Sequence, residues 1–217
     1  MSNNNKQTKF FFRKKYQNKR NSLSRTQVNE LSRKISKKFI KKYKIFFDYF
    51  KNLNFVTTIH IFLPIHRKNE VNTHILIDMI KENIKYKNIK FVIPRMTKTK
   101  TGEKILQHYY YNQNTIIVRN KWGIMEPIEN NTQLDEVNLL LIDMVIVPLL
   151  CWDIERNRIG YGGGYYDKTI SYFSSIGHNF ITIGLAYDEQ KVGEVVHDNL
   201  DQKLNYILTE KQLYKVS

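Results

Sequence analysis

The 217-residue sequence holds one cysteine, Cys151, and no apolar run near the roughly 18–20 residues that a membrane span requires. A lone cysteine excludes an intramolecular disulfide framework and suits a reducing compartment, so the expected location is cytoplasmic. The chain opens with Met-Ser-Asn-Asn-Asn and not with a charged stub and an apolar core, so neither secretion nor membrane insertion is expected. No internal repeat or second domain is evident. Acidic residues are scarce, 20 against 35 Lys and Arg, which leaves a formal net charge of +15. That excess would suit a polyanion, whether nucleic acid or a small phosphorylated substrate. The lysines are scattered along the whole chain, however, which reads as a basic solvated surface. Clustered aromatics on a sheet and a groove-reading helix are both missing, so neither nucleic acid nor a membrane is the expected partner.

An apolar fraction of 41% with 13% aromatics is that of a folded chain large enough for one compact domain. Residues 1–22 are polar and basic apart from Phe10, Phe11 and Phe12, lack a long periodic pattern, and are read as an N-terminal segment with a mobile far end. The rest, 23–217, is read as a single domain. Ser24 and Gln27 form a capping box ahead of Val28, Leu31, Ile35 and Phe39, predicting a helix over 24–44. Residues 55–63 read as a buried strand ending at Pro64, and Ile75, Leu76, Met79, Ile80 and Ile84 as the face of a following helix. A short strand over 89–93 then stops at Pro94. The stretch 97–138 is less regular, with a strand at 105–111 and a loop at Trp122-Gly123. Residues 139–150 are the most apolar run and predict a central strand. A helix over 166–176 and strands over 181–186 and 206–208 complete an α/β fold, a mostly parallel sheet with helices on both faces.

Between the strongest strand and a helix lies Arg158-Ile159-Gly160-Tyr161-Gly162-Gly163-Gly164-Tyr165-Tyr166-Asp167. Glycines let backbone N–H groups approach an anion, a helix N-terminus adds partial positive charge, and an arginine supplies a fork of donors. The segment has neither the Gly-Lys-Ser/Thr ending of a Walker loop nor the G-x-G-x-x-G spacing of a dinucleotide fold. By itself, a glycine cluster could equally be a tight turn.

With its flanks, the segment resembles the signature of the 5-formyltetrahydrofolate cyclo-ligases, approximately V-P-x-x-x-x-D-x-x-x-x-R-L/I-G-x-G-x-G-Y-Y-D. Val147-Pro148, Asp153 and Arg158 through Asp167 match at the expected spacing. Lys9 and Arg13, Ile61-Phe62-Leu63 with Glu70, Val196-His197-Asp198 and Ile207-Leu208-Thr209-Glu210 extend the likeness over nearly the whole chain. Departures are Cys151-Trp152 before the signature aspartate and Asn205 where the family usually has Asp. The resemblance implies closure of 5-formyltetrahydrofolate to 5,10-methenyltetrahydrofolate with ATP as co-substrate and Mg2+ as cofactor, by a monomer. It implies catalytic roles for Arg158, Tyr165 and Asp167. ATP would meet Lys9, Arg13 and the run Arg158, Ile159, Gly160, Tyr161, Gly162, Gly163, Gly164, Tyr165 and Tyr166. Folate would meet Leu63, Glu70, Trp122, Tyr161, Gly164 and Tyr165, and magnesium Asp167 and Asp198. Two other readings stay open on the residues alone: a basic nucleic-acid-binding protein, and an ATP-independent isomerase or transferase of related fold.

Overall fold

A computed structural model describes residues 3–47, 57–86, 88–128 and 137–215. In chain order the elements are α1 (Asn3–Asn21), α2 (Arg25–Phe47), β1 (Thr58–His60), α3 (Thr73–Lys81), β2 (Lys90–Lys98), β3 (Lys104–Tyr110), β4 (Ile117–Arg119) and β5 (Met125–Pro127). They continue with β6 (Met144–Pro148), β7 (Cys151–Trp152), β8 (Arg158–Ile159), α4 (Tyr165–Ser175), β9 (Ile181–Leu185), β10 (Tyr206–Leu208) and β11 (Leu213–Tyr214).

Seven strands form one sheet in the order β11-β10-β9-β6-β1-β2-β3. The pairs from β10 through to β2 are parallel, and β3 and β11 close the two edges antiparallel. Side-chain alternation in β6 divides the core. Met144 and Ile146 point to α2 and α3, where Ile35, Phe39, Tyr43 and Phe46 meet Leu76, Ile77 and Ile80. Val145 and Val147 point the other way, to Ile170 and Phe173 of α4. Both faces are therefore covered by helices, as the apolar strands require.

Local chemistry sets the boundaries. The capping box forms, with Ser24 N donating to Gln27 Oε1 at 2.8 Å and Gln27 N to Ser24 Oγ at 3.2 Å. The apolar run 139–150 is not one strand: the Asn138 side chain accepts from Leu140 N and turns Leu139–Leu141 into a 3-10 helix, so β6 begins at Met144. Pro94 does not end β2. Tyr111 N bonds Phe91 O, so with this register Pro94 faces His108 as a non-hydrogen-bonded pair and its missing N–H costs β3 nothing. Of the expected strand 55–63, Thr58–His60 is strand, while Phe55 and Val56 lie outside the described residues. Residues 3–21, where the sequence suggests no regular element, are helix α1, which packs on β7, β8 and the turn at 188–190. Its inward face repeats at Lys9, Arg13, Tyr16 and Arg20, a helical spacing carried by basic residues in place of the usual apolar ones.

Candidate active site

The parallel strands β1, β2 and β6 lead at their carboxyl ends into one cleft of about 860 Å³, where ligands of open α/β sheets bind. The β7–β8 hairpin brings the glycine segment to it. Asp153 closes that hairpin: its carboxylate accepts from Asn157 N and Asn157 Nδ2, each at 2.9 Å, and from Val195 N at 3.0 Å. The spacing between Asp153 and Arg158 is thus the length of a hairpin turn, with Arg156 at φ 67 within it.

Gly162 and Gly164 have φ of 89 and 73, a region that disfavours any residue with a Cβ. A Cβ on Gly162 would also meet the Arg13 guanidinium at 3.0 Å. Gly164 is the N-cap of α4 and no side chain among the described residues caps it, so the first turn of this helix, which lines the cleft, keeps N–H groups without a side-chain acceptor there. Around them stand three basic side chains. Arg158 Nη2 donates to Asp167 Oδ1 at 2.9 Å, and its buried Nε has no partner among the described residues. Arg13 Nε donates to Gly160 O at 3.0 Å. Lys9 donates to Asp198 at 2.8 Å and to Asp201. Burial disfavours the Lys9 ammonium, but these two carboxylates outweigh it and its pKa is raised. Asp198 is correspondingly lowered, chiefly by the Lys9 hydrogen bond.

The cleft also has apolar walls, Phe62, Leu63, Pro94, Met96, Leu106 and Met125, with Lys68, Lys98, Lys104 and Lys121 among its further lining residues. Trp122, half-exposed in the β4–β5 loop, forms its lip, with Gly123 against Arg67. Tyr161 lines the cleft, and its phenol donates to Glu70 Oε1 at 2.7 Å while accepting from Arg20. Burial first, then the Glu70 charge, push the Tyr161 pKa up, so the phenol stays protonated. Beneath the floor, His60 Nε2 meets Tyr166 Oη at 3.2 Å and His60 Nδ1 meets His108 Nδ1 at 3.0 Å.

A model of the 5-formyltetrahydrofolate cyclo-ligase family matches residues 5–210. The chain belongs to the 5-formyltetrahydrofolate cyclo-ligase family. It is 31% identical over 160 residues to a Schizosaccharomyces pombe protein named "Probable 5-formyltetrahydrofolate cyclo-ligase", covering 68% of this chain and 72% of that one. A Mycoplasma pneumoniae 5-formyltetrahydrofolate cyclo-ligase is 25% identical over 199 residues, 92% of this chain and 96% of its own. The solved fold of Aquifex aeolicus 5,10-methenyltetrahydrofolate synthetase superposes with a TM-score of 0.69 at 24% identity, covering 95% of this chain and 92% of that one. As a cyclo-ligase family member this chain is an enzyme of the ligase class, and the fold is the family's.

Against that family frame, the cleft gathers Lys9, Arg13, Leu63, Trp122 and all of Arg158 through Asp167. Two expected residues stand apart. Glu70 is buried outside the cleft lining, with Oε2 accepting from Ile65 N at 2.7 Å and Oε1 from Tyr161. Asp198 likewise does not line it, and both its oxygens are engaged, by Lys9 and by Leu200 N. Residue-by-residue reading missed Arg20 and Gln202, whose backbone N donates to Asp167 Oδ1 at 3.0 Å. Arg20 was discoverable from the Lys9-Arg13-Tyr16-Arg20 spacing. Gln202 acts through its backbone, which leaves no side-chain signal.

Proposed function

We propose that the cleft binds ATP at its basic end and 5-formyltetrahydrofolate at its apolar end, and joins them in an ATP-dependent ring closure. One observation carries this reading: a single cavity gathers arginines, glycine backbone and an uncapped helix N-terminus together with apolar walls and an aromatic lip. The first group suits a triphosphate, the second a pterin ring.

The chemistry asks the protein mainly for positioning and charge neutralisation. The formyl oxygen on N5 attacks the terminal phosphorus of ATP and ADP leaves. The resulting iminium phosphate is attacked by N10, which loses its proton, and phosphate departs as the methenyl bridge forms. Arg158, Arg13 and the amides of Gly160 through Gly164 hold the phosphates. Lys9 joins them from α1 by exchanging an aspartate partner for a phosphate oxygen. Tyr165 and Trp122 offer aromatic surface to the folate, Leu63 packs on it, and Glu70 accepts from its amidine edge. Tyr161, whose hydroxyl bonds Glu70 Oε1, lines the cleft beside that contact and orients the carboxylate for it.

Magnesium fits Asp167 better than Asp198. Asp167 lines the cleft and its Oδ2 makes no hydrogen bond among the described residues, whereas both Asp198 oxygens are taken. Groups of three or more His, Cys, Asp or Glu able to hold a metal are absent among the described residues. That pattern agrees with an ion held by one or two carboxylates together with phosphate and water. Bound there, the cation would neutralise charge developing on the transferred phosphoryl group.

Steady-state kinetics of Arg158→Lys and Asp167→Asn test the assignment. Arg158→Lys keeps a charge but loses the fork, and should raise the ATP KM with little change in the folate KM. Asp167→Asn should lower kcat by on the order of a hundredfold, in keeping with loss of transition-state charge stabilisation. Variants that alter only the folate KM would contradict this polarity of the cleft.

A further inference from the structure

Arg20 is 2% exposed, yet its guanidinium reaches three acceptors on three different segments. Nε donates to Lys68 O at 2.7 Å, Nη1 to Leu149 O at 3.0 Å, and Nη2 to the Tyr161 hydroxyl. Those acceptors belong to the turn at 66–68, the residue after β6 and the glycine segment respectively. A guanidinium has donors only, so the Tyr161 oxygen must accept from it, and the single phenolic proton is left for Glu70 Oε1 at 2.7 Å. The direction of the chain Arg20 to Tyr161 to Glu70 is therefore fixed. Lys68 Nζ also lies over the Tyr161 ring, 3.9 Å from its centre.

We propose that Arg20 is a positioning residue for the folate end of the cleft, fixing the Tyr161 phenol and the Glu70 carboxylate, the latter through Tyr161 and through a direct ion pair, Arg20 Nη2 to Glu70 Oε1 at 3.9 Å. It acts on folate binding and not on the phosphates, because apart from Leu149 O its partners are the Tyr161 hydroxyl, Lys68 O two residues before Glu70, and Glu70 itself. The inference rests on the reading that this end takes the folate. A lysine could match the charge but not the three-way fork.

The test measures KM for each substrate and kcat for the wild type, Arg20→Lys, Tyr161→Phe and the double variant, with thermal melts alongside. Arg20→Lys should raise the folate KM by on the order of tenfold, as expected for one lost charge-assisted hydrogen bond. The ATP KM should move less than the folate KM, because Arg20 bonds the Tyr161 hydroxyl and two carbonyls and not the amides or basic side chains placed on the phosphates. Tyr161→Phe should also raise the folate KM more than the ATP KM, though by less than Arg20→Lys because Arg20 still pairs with Glu70, and the double variant should fall short of the product of the two rises because they share the Tyr161 bond. Equal rises in both KM values, a fall in kcat with the folate KM unmoved, or effects that multiply in the double variant would each overturn the inference. Should Arg20→Lys fail to fold, Tyr161→Phe decides alone, because it keeps both carbonyl bonds of Arg20: a raised folate KM supports the inference and an unmoved one overturns it. Wild type without ATP-dependent turnover of the folate would overturn the functional reading and this inference together, whereas active wild type with an unmoved folate KM in both variants overturns the inference alone.

Discussion

Two buried histidines show how burial converts to pH dependence at the scale of one residue. Burial, with His108 as neighbour, holds the His60 pKa well below 6.5, and burial alone brings His108 down to about 4. Between pH 6.5 and about 4 the unfolded chain thus takes up protons that the folded one refuses. For His108 the associated stability is complete above pH 6.5 and is lost as pH falls toward about 4, at roughly 1.4 kcal/mol per pH unit, and His60 adds to the loss in the same direction. Urea melts at stepped pH should show this slope, and His108→Gln should flatten it; an unchanged slope would remove His108 from the account. Cys151 behaves in the opposite sense. Burial and then Asp153 push its thiol up to about 12, so the folded protein should resist thiol-alkylating reagents at pH 8 and react only on unfolding. Mass spectrometry before and after denaturation would show it.

Elements here are tied by contacts that a single atom can break. In β9, a Cβ on Gly184 would lie 2.7 Å from Ile207 and Leu149 side chains, so β10 and the segment after β6 close directly on strand backbone. Gly184→Ala should cost about 1–3 kcal/mol by overpacking, measurable as a lowered denaturation midpoint with unchanged m-value. Helix α1 is held differently, by Lys9 on Asp198 and Asp201. Asp198 has its pKa lowered, so its share of that clasp is present above the ordinary carboxylate value and is lost as pH falls below about 3.8. Lys9→Met should leave two aspartates facing each other without a counter-charge and expose α1 to limited proteolysis at neutral pH, whereas the wild-type helix should be cut readily only in acid. Equal protection of both proteins would contradict the clasp.

The whole molecule shows what could and could not be read from sequence. Elements with a strong signal of their own were legible: the capped α2, the apolar run that holds β6, the β9 and β10 strands and the helix α4. Helix α1 was not, because its inward stripe is Lys9, Arg13 and Arg20, and a search for apolar periodicity passes over it. The β7–β8 hairpin was hidden inside a motif read as chemistry, although Asp153 and Arg158 keep their spacing to form it. The glycine segment, Arg158 and Asp167, which stand together in the sequence, line one cleft in the fold. The second tier of the site was not legible: Gln202 contributes a backbone N–H, and the Arg20–Tyr161–Glu70 chain depends on residues 141 and 91 positions apart meeting in space. The central claim is that one cleft couples ATP cleavage to closure of the folate. The most direct measurement mixes the protein with 5-formyltetrahydrofolate, magnesium and ATP and follows the new absorbance of the conjugated methenyl bridge together with released ADP, beside an ATP-free control. The account predicts one ADP for each methenyl bridge and no absorbance without ATP; bridge formation in the ATP-free control, or ADP release without bridge formation, would contradict it.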